Sequence, residues 1–236
     1  MTVPSDIKTR FPLLFPAAWL AALAGLAFAG CVELEQTLRL QPDGSLTFSL
    51  HYTVPEDALP QLAAAQQAIE GWQGGDAKTP PDSLQWIFNR KLATAFFSRD
   101  GLELTRYDQA IRDGRAVVDI AGRATDGMAA LRSGRLGPLT IAPDAVGNVV
   151  LRMALAADDG VAARNEPQRA AELQQLCKGL KLVLVISCPT DVVDSSGERV
   201  NSRESRWVFD ADKTPDFLLK TPVIQLAFKP TDAWKE

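Results

Sequence analysis

Residues 26–54 read LAFAGCVELEQTLRLQPDGSLTFSLHYTV, and two alternating runs within them decide the fold. From Val32 to Leu40 the apolar residues fall on even positions (Val32, Leu34, Leu38, Leu40), and from Leu46 to Val54 they do so again (Leu46, Phe48, Leu50, Tyr52, Val54). A period of two marks half-buried strands. Between the runs, Gln41-Pro42-Asp43-Gly44-Ser45 supplies a fixed φ at Pro42 and a residue suited to positive φ at Gly44, the chemistry of a type I turn closed by a G1 bulge. A three-residue loop sets Gln41 against Ser45 and predicts Leu40 opposite Leu46, Leu38 opposite Phe48, Leu34 opposite Tyr52 and Val32 opposite Val54. A two-residue loop would send the two apolar sets to opposite faces, so turn and pattern agree on one register. On the polar face, the chain's one histidine, His51, falls opposite Glu35, which predicts an exposed cross-strand pair.

Upstream of the hairpin, Lys8 and Arg10 precede an uncharged, mostly apolar run from Phe11 to Gly30. Pro12 and Pro16 leave Ala17 to Gly30 as its uninterrupted helical part, the length of a signal h-region and short of the ~20 residues that span a bilayer. Residues 1–30 therefore read as a secretory signal helix, with an uncleaved anchor as the alternative. Phe28-Ala29-Gly30-Cys31 resembles the lipobox of bacterial lipoproteins, with Phe28 where Leu is usual. The resemblance implies cleavage before Cys31, a diacylglyceryl thioether on its sulfur and an acylated amine. Each buried methylene contributes about 0.8 kcal/mol, so several chains hold where one is marginal. The rival reading of Cys31 is a small buried thiol. By analogy with Gram-negative lipoproteins, Val32 in place of Asp implies outer-membrane sorting. No Gly, Ser, Pro or charged tether separates Cys31 from the first strand, so the domain is expected to sit close to the headgroups, the rival reading being a first strand that frays into a short leash.

Composition fits that setting. The chain has 236 residues, 46% of them hydrophobic and 23% charged, a globular balance. Removing residues 1–30 takes away Asp6, Lys8 and Arg10 and leaves 23 basic against 28 acidic residues, a net of −5. With no clustered basic footprint, nucleic acid is not an expected partner. After residue 31 no segment is long and apolar enough to cross a membrane.

The remaining pattern predicts an α+β domain over 31–236, a mostly antiparallel sheet with two to four helices packed on it. Asp57 suits the N-cap of a helix running to about Trp72. Ser83 suits the cap of a second, with Leu84, Ile87, Phe88, Leu92, Ala95 and Phe96 as its stripe and Gly101 past its end. Trp86 and Phe97 fall off that stripe. They imply either packing on the preceding helix or, with Trp72, the lining of an apolar-ligand site. Leu102–Arg112 and Arg115–Ala124 read as strands about an Asp113-Gly114 turn; a two-residue loop would set Asp108 opposite Asp119, and since two carboxylates alone make no calcium site, a different register or a solvated pair is expected. Asp126–Ser133 reads as a short helix, and Leu139–Ala142 with Val149–Ala156 as a hairpin. A helix from Pro167 ends at Gly179. Leu180–Ser187 is branched and apolar enough for a central strand, and strands near Arg206–Asp210 and Val223–Phe228 complete the fold.

Cys177 and Cys188 lie in an oxidising compartment if the signal is real, yet seven or eight extended residues hold them about 20–25 Å apart, too far for a disulfide. Two buried free thiols are expected. The lipidated cysteine, the immediate hairpin with its Asp-Gly turn, the V-P-E-D-A-L stretch at Val54–Leu59, and a late strand running to Pro189, Gly197 and Trp207 together resemble the LppM-type lipoproteins of bacterial envelopes. That resemblance implies an α+β domain exposed at a membrane surface and supplies no catalytic residues. Members of that family often carry a C-terminal membrane helix, whereas this sequence ends soon after its last predicted strand.

Enzymatic readings find little. With one His, a zinc site of several histidines is excluded and a Ser-His-Asp triad depends wholly on His51; G-x-S-x-G, a phosphate-cradling Gly loop and C-x-x-C are all missing. No catalytic, metal-binding or cofactor-binding residues are assigned. Two classes remain: an envelope lipoprotein acting through protein contacts, with membrane lipid and an envelope complex as partners, or a module for lipid or another apolar ligand lined by Trp72, Trp86 and Phe97.

Overall fold

The computed structural model of the chain describes residues 32–58, 87–154, 178–218 and 222–235. The predicted signal helix, Cys31, Trp72, Trp86, Cys177 and most of the helices expected from Asp57 and Pro167 lie outside those residues. Strands β1 (Glu33–Leu40) and β2 (Leu46–Pro55) form the predicted hairpin. Leu40 pairs Leu46, Leu38 pairs Phe48, Leu34 pairs Tyr52 and Glu35 pairs His51. Gln41 N–H donates to Ser45 O at 2.9 Å, and Gly44 takes φ +85°. Ser45 donates from both its amide and its hydroxyl to Asp43 Oδ1, which holds the Asp43 carboxyl below its ordinary range.

A 3-10 turn at Glu56–Ala58 follows β2 and holds Asp57, while the helix expected beyond it, to about Trp72, lies outside the described residues. The second predicted helix is shorter than the sequence suggests. Helix α1 spans Arg90–Phe96 and is capped by Asn89, whose side chain accepts the Leu92 amide at 3.2 Å. Asn89 is extended, so it breaks the run expected from Ser83 and resets the helical phase. Ala93 and Phe97, four residues apart, therefore point inward, while Leu92 is exposed. Phe97, expected off the buried stripe, is among the most buried side chains.

Strands β3 (Leu102–Arg112) and β4 (Arg115–Ala124) meet at Asp113-Gly114, both with positive φ. Helix α2 (Gly127–Arg132) is capped by Asp126. Then come β5 (Leu139–Pro143), β6 (Val149–Ala154), β7 (Lys181–Ser187), β8 (Val192–Ser195), β9 (Glu198–Asn201), β10 (Glu204–Asp210) and β11 (Val223–Phe228).

Among the described residues these strands form two sheets, ordered β3-β4-β2-β1-β7-β10-β9 and β5-β6-β11-β8. The larger is mostly antiparallel, but β1 and β7 run parallel, Glu33 beside Lys181 through Arg39 beside Ser187. The apolar run 180–187 is thus an interior strand, as its composition predicts. The second sheet is a departure from the expected single sheet under helices. Leu151 of β6 and Leu226 and Phe228 of β11 pack into the same core as Leu38, Leu46 and Phe48 of the first sheet. Among the described residues, sheet-on-sheet burial thus joins the helix-on-sheet burial read from the sequence.

One end of the molecule is closed by the C-terminal segment. Trp234 is fully buried, donates its indole N–H to Gln41 O at 2.6 Å and packs edge-on against Phe228. Thr231 donates to Pro42 O and the Gly127 amide to Gly44 O, so the β1–β2 turn is held from two directions. Gly127 has no Cβ because one would lie 2.5 Å from the Trp234 ring.

Candidate functional site

The site begins at Val32, the residue after Cys31. Val32 is 3% exposed and its carbonyl accepts the Lys181 amide at 2.8 Å, extending the parallel β1–β7 ladder backward by one residue. The chain is therefore part of the core and of the sheet one peptide unit past Cys31. Glu33, next along, lies between Arg115 (3.5 Å) and Lys181 (3.9 Å), which ties β1 to both sides of the sheet. These exposed pairs contribute less than about 1 kcal/mol each, so burial of Val32 and the backbone ladder dominate.

Register shows what shares this end. Pairing carries the row of Val54 through Ala116 to Ile111, and the row of Pro55 through Arg115 to Arg112. The Glu56 amide donates to Gly114 O at 2.9 Å, fastening the β3–β4 turn to the chain leaving β2. Ile111 is 52% exposed and Val223, at the start of β11, is 47% exposed.

His51 stands on the polar face of the large sheet. The register sets it across from Glu35, as predicted, but its ring turns to the strand on the other side, where Nδ1 lies 2.6 Å from Asp119 Oδ1. Thr53 Oγ1 lies 3.2 Å from Nε2, so both ring nitrogens are engaged. Alternation within β2 reveals the face but not which flanking strand offers the better acceptor. Asp108 does face Asp119, as the two-residue turn predicts. The two carboxylates are not an unpartnered dyad, because Arg106 pairs with Asp108 while His51 takes Asp119. Among the described residues no three His, Cys, Asp or Glu side chains converge to hold a metal.

Phe97, a candidate ligand-lining residue, is wedged between Phe48 and Phe96 with ring centroids 5.0 Å from each. Gly122 makes room for that stack, since a Cβ there would lie 2.3 Å from the Phe48 ring. Gly197 and Trp207 also pack together: a Cβ on Gly197 would lie 2.5 Å from the indole, whose N–H donates to Ser196 Oγ. Cys188 is a buried free thiol, pushed up to about 12 by desolvation. Burial raises the Tyr52 phenol as well, and its hydroxyl has no hydrogen-bond partner among the described residues. An open cleft of about 220 Å³ lies at the opposite end from Val32, lined by Met128, Ile141, Pro143, Val149 and Trp234 among others. No helix among the described residues is long and apolar enough to cross a membrane.

No family model matches the chain. No curated protein matches it either. Among solved structures, it is similar to the NMR structure of the folded domain of LppM from Mycobacterium tuberculosis, with 10% sequence identity and a TM-score of 0.48 over 86% of this chain and 92% of that one.

Proposed function

We propose that the chain is a bacterial envelope lipoprotein, held to the membrane by acyl groups on Cys31, whose single α+β domain of residues 31–236 works through protein contacts as a structural or accessory subunit and not as an enzyme. With Val32 after the cysteine, the outer membrane of a Gram-negative cell is its expected site. The observation that carries this reading is the Val32 carbonyl in the β1–β7 ladder, which joins the lipobox-like stretch to the fold without slack. The exposure of the His51 and Asp119 side chains, 49% and 31%, supports a surface pair in high dielectric as the role of this contact.

Intact mass of the membrane-extracted protein tests the reading. The expected species begins at Cys31 and carries diacylglyceryl and N-acyl mass, and Cys31→Ala releases the domain from the membrane fraction. An unmodified Cys31 would overturn it. In-cell crosslinking, expected to yield a discrete protein adduct, tests the accessory role. Lipid co-purifying with the detergent-free Cys31→Ala domain would instead favour carriage of an apolar ligand.

A further inference from the structure

We propose that the β3–β4 tip, Ile111 and Arg112, is a second membrane contact, which seats the domain upright on the headgroups of the bilayer that holds its acyl chains. The inference rests on acylation of Cys31 and adds an orientation to it.

Its basis is register. Ile111 lies in the row of Ala116 and Val54, the row that Val32 faces, and Arg112 lies one row further out with Arg115 and Pro55. In the sheet order β3-β4-β2-β1, three steps of about 4.8 Å separate the tip from the anchored strand. The tip is thus about 15 Å to the side of Val32 and at the same level along the strands. Neither end of that span is loose. Val32 is bonded to Lys181, and Gly114 is bonded to Glu56. Acyl chains that enter the bilayer at residue 31 bring the tip within the ~5–10 Å depth over which interfacial groups bury.

The tip has the chemistry for that depth. Ile111, on the edge strand beyond the cover of the core, is half exposed, and Arg112 beside it forms no ion pair among the described residues. An aliphatic side chain reaching the acyl boundary with a guanidinium at phosphate level is a snorkelling arrangement. Glu33 is paired with Arg115 and Lys181 and Asp210 with Lys213, whereas Asp113, Glu56 and Asp57 beside the tip are exposed acids with no ion pair among the described residues, so the seating is carried by Ile111 and by the register, not by net charge. Val146, 81% exposed on the β5–β6 turn beside the Trp234 cleft, marks the far end. The eight residues of β1 separate the two ends by about 26 Å.

The test uses the mature acylated protein, its lipid verified by intact mass, in phosphatidylethanolamine–phosphatidylglycerol vesicles. An environment-sensitive fluorophore is placed at position 111 (Ile111→Cys) or at position 146 (Val146→Cys), each with Cys177→Ser and each with an unchanged melting curve. Shallow spin-labelled lipid should quench the probe at 111 by about half and leave the probe at 146 unaffected. Equal quenching at both positions, or none at 111 with the acyl mass present, overturns the upright seating while leaving the anchor intact. Absence of the acyl mass overturns both.

Discussion

The carbonyl of Val32 and the amide of Lys181 meet at 2.8 Å, which makes residue 32 the first rung of the parallel pairing between β1 and β7. A parallel pair needs a long crossover, so this contact joins segments about 150 residues apart and fixes the beginning of the fold late in its assembly. Acylation of Cys31, as proposed above, would set its anchor directly before this rung and leave the domain little freedom to swing.

Val32→Ala should destabilise the domain by about 2 kcal/mol, the transfer and cavity cost of two buried methyl groups. Insertion of Gly-Ser-Gly-Ser between Cys31 and Val32 should leave stability within about 0.5 kcal/mol, because the inserted residues lie outside the packed core. Urea midpoints of both variants check the pair. A large loss from the insertion would mean that residue 31 itself is bonded into the sheet.

Gly122→Ala tests the fit of β4 against β2. The added carbon would lie 2.3 Å from the Phe48 ring and 2.7 Å from Glu103 O, and since one neighbour is backbone, the ring must give way into the Phe97 stack. A cost of about 1–3 kcal/mol is expected. Phe48→Leu in the same chain should recover part of it, so the two substitutions together should cost less than their sum in a double-mutant cycle.

The hairpins were legible because their information is local. Even-position alternation flanking Pro42-Asp43-Gly44 admits one register, and Asp113-Gly114 sets Asp108 opposite Asp119. What joins those hairpins was not legible. Nothing in the run 181–187 says that its neighbour is β1 and parallel, and nothing in β5, β6, β8 or β11 says that they leave the first sheet to form a second. The helix after residue 83 was misphased because Ser83 and Asn89 are both plausible caps, and the fold uses Asn89. The same gap separates the candidate sites. The match at Cys31 and the lack of a tether can be read from the sequence, whereas the alignment of Ile111 with Val32 depends on three successive strand pairings.

Trp234→Ala should cost about 3–5 kcal/mol, the range for emptying a fully buried indole site. Trp234→Phe should fall between this variant and the native chain, since it refills much of the volume but removes the indole N–H from Gln41 O, which keeps the Gly44 amide as its donor. Amide exchange in residues 41–45 should accelerate in both variants, while exchange in β3 and β4 follows global stability alone. Unchanged exchange in the turn would show that the C-terminal segment does not support it.

His51→Gln and Asp119→Asn should each change stability by less than about 1 kcal/mol, because the pair is solvent-exposed. Envelope localisation of both variants should match that of the native chain. A loss of function without loss of stability would reassign this pair from surface contact to working site.

Cys188 gives a pH dependence whose sign follows from its burial. Its thiol is neutral when protonated, and desolvation lifts it from an ordinary 9.0 to about 12 in the folded chain. Below pH 9 folded and unfolded chains both keep the proton and stability is unaffected. Between 9 and 12 the unfolded chain loses a proton that the folded chain retains, so stability falls by up to about 1.4 kcal/mol per pH unit. Tyr52, also raised by burial, adds a loss of the same sign at higher pH. Urea midpoints from pH 8 to 11 should therefore decline, and Cys188→Ala should flatten the lower part of that decline. In the detergent-free domain carrying Cys31→Ala and Cys177→Ser, a thiol reagent at pH 8 should find no reactive group until urea is added and then one. Rapid reaction of the folded domain would show that the Cys188 thiol is accessible and would remove the basis for this pH dependence.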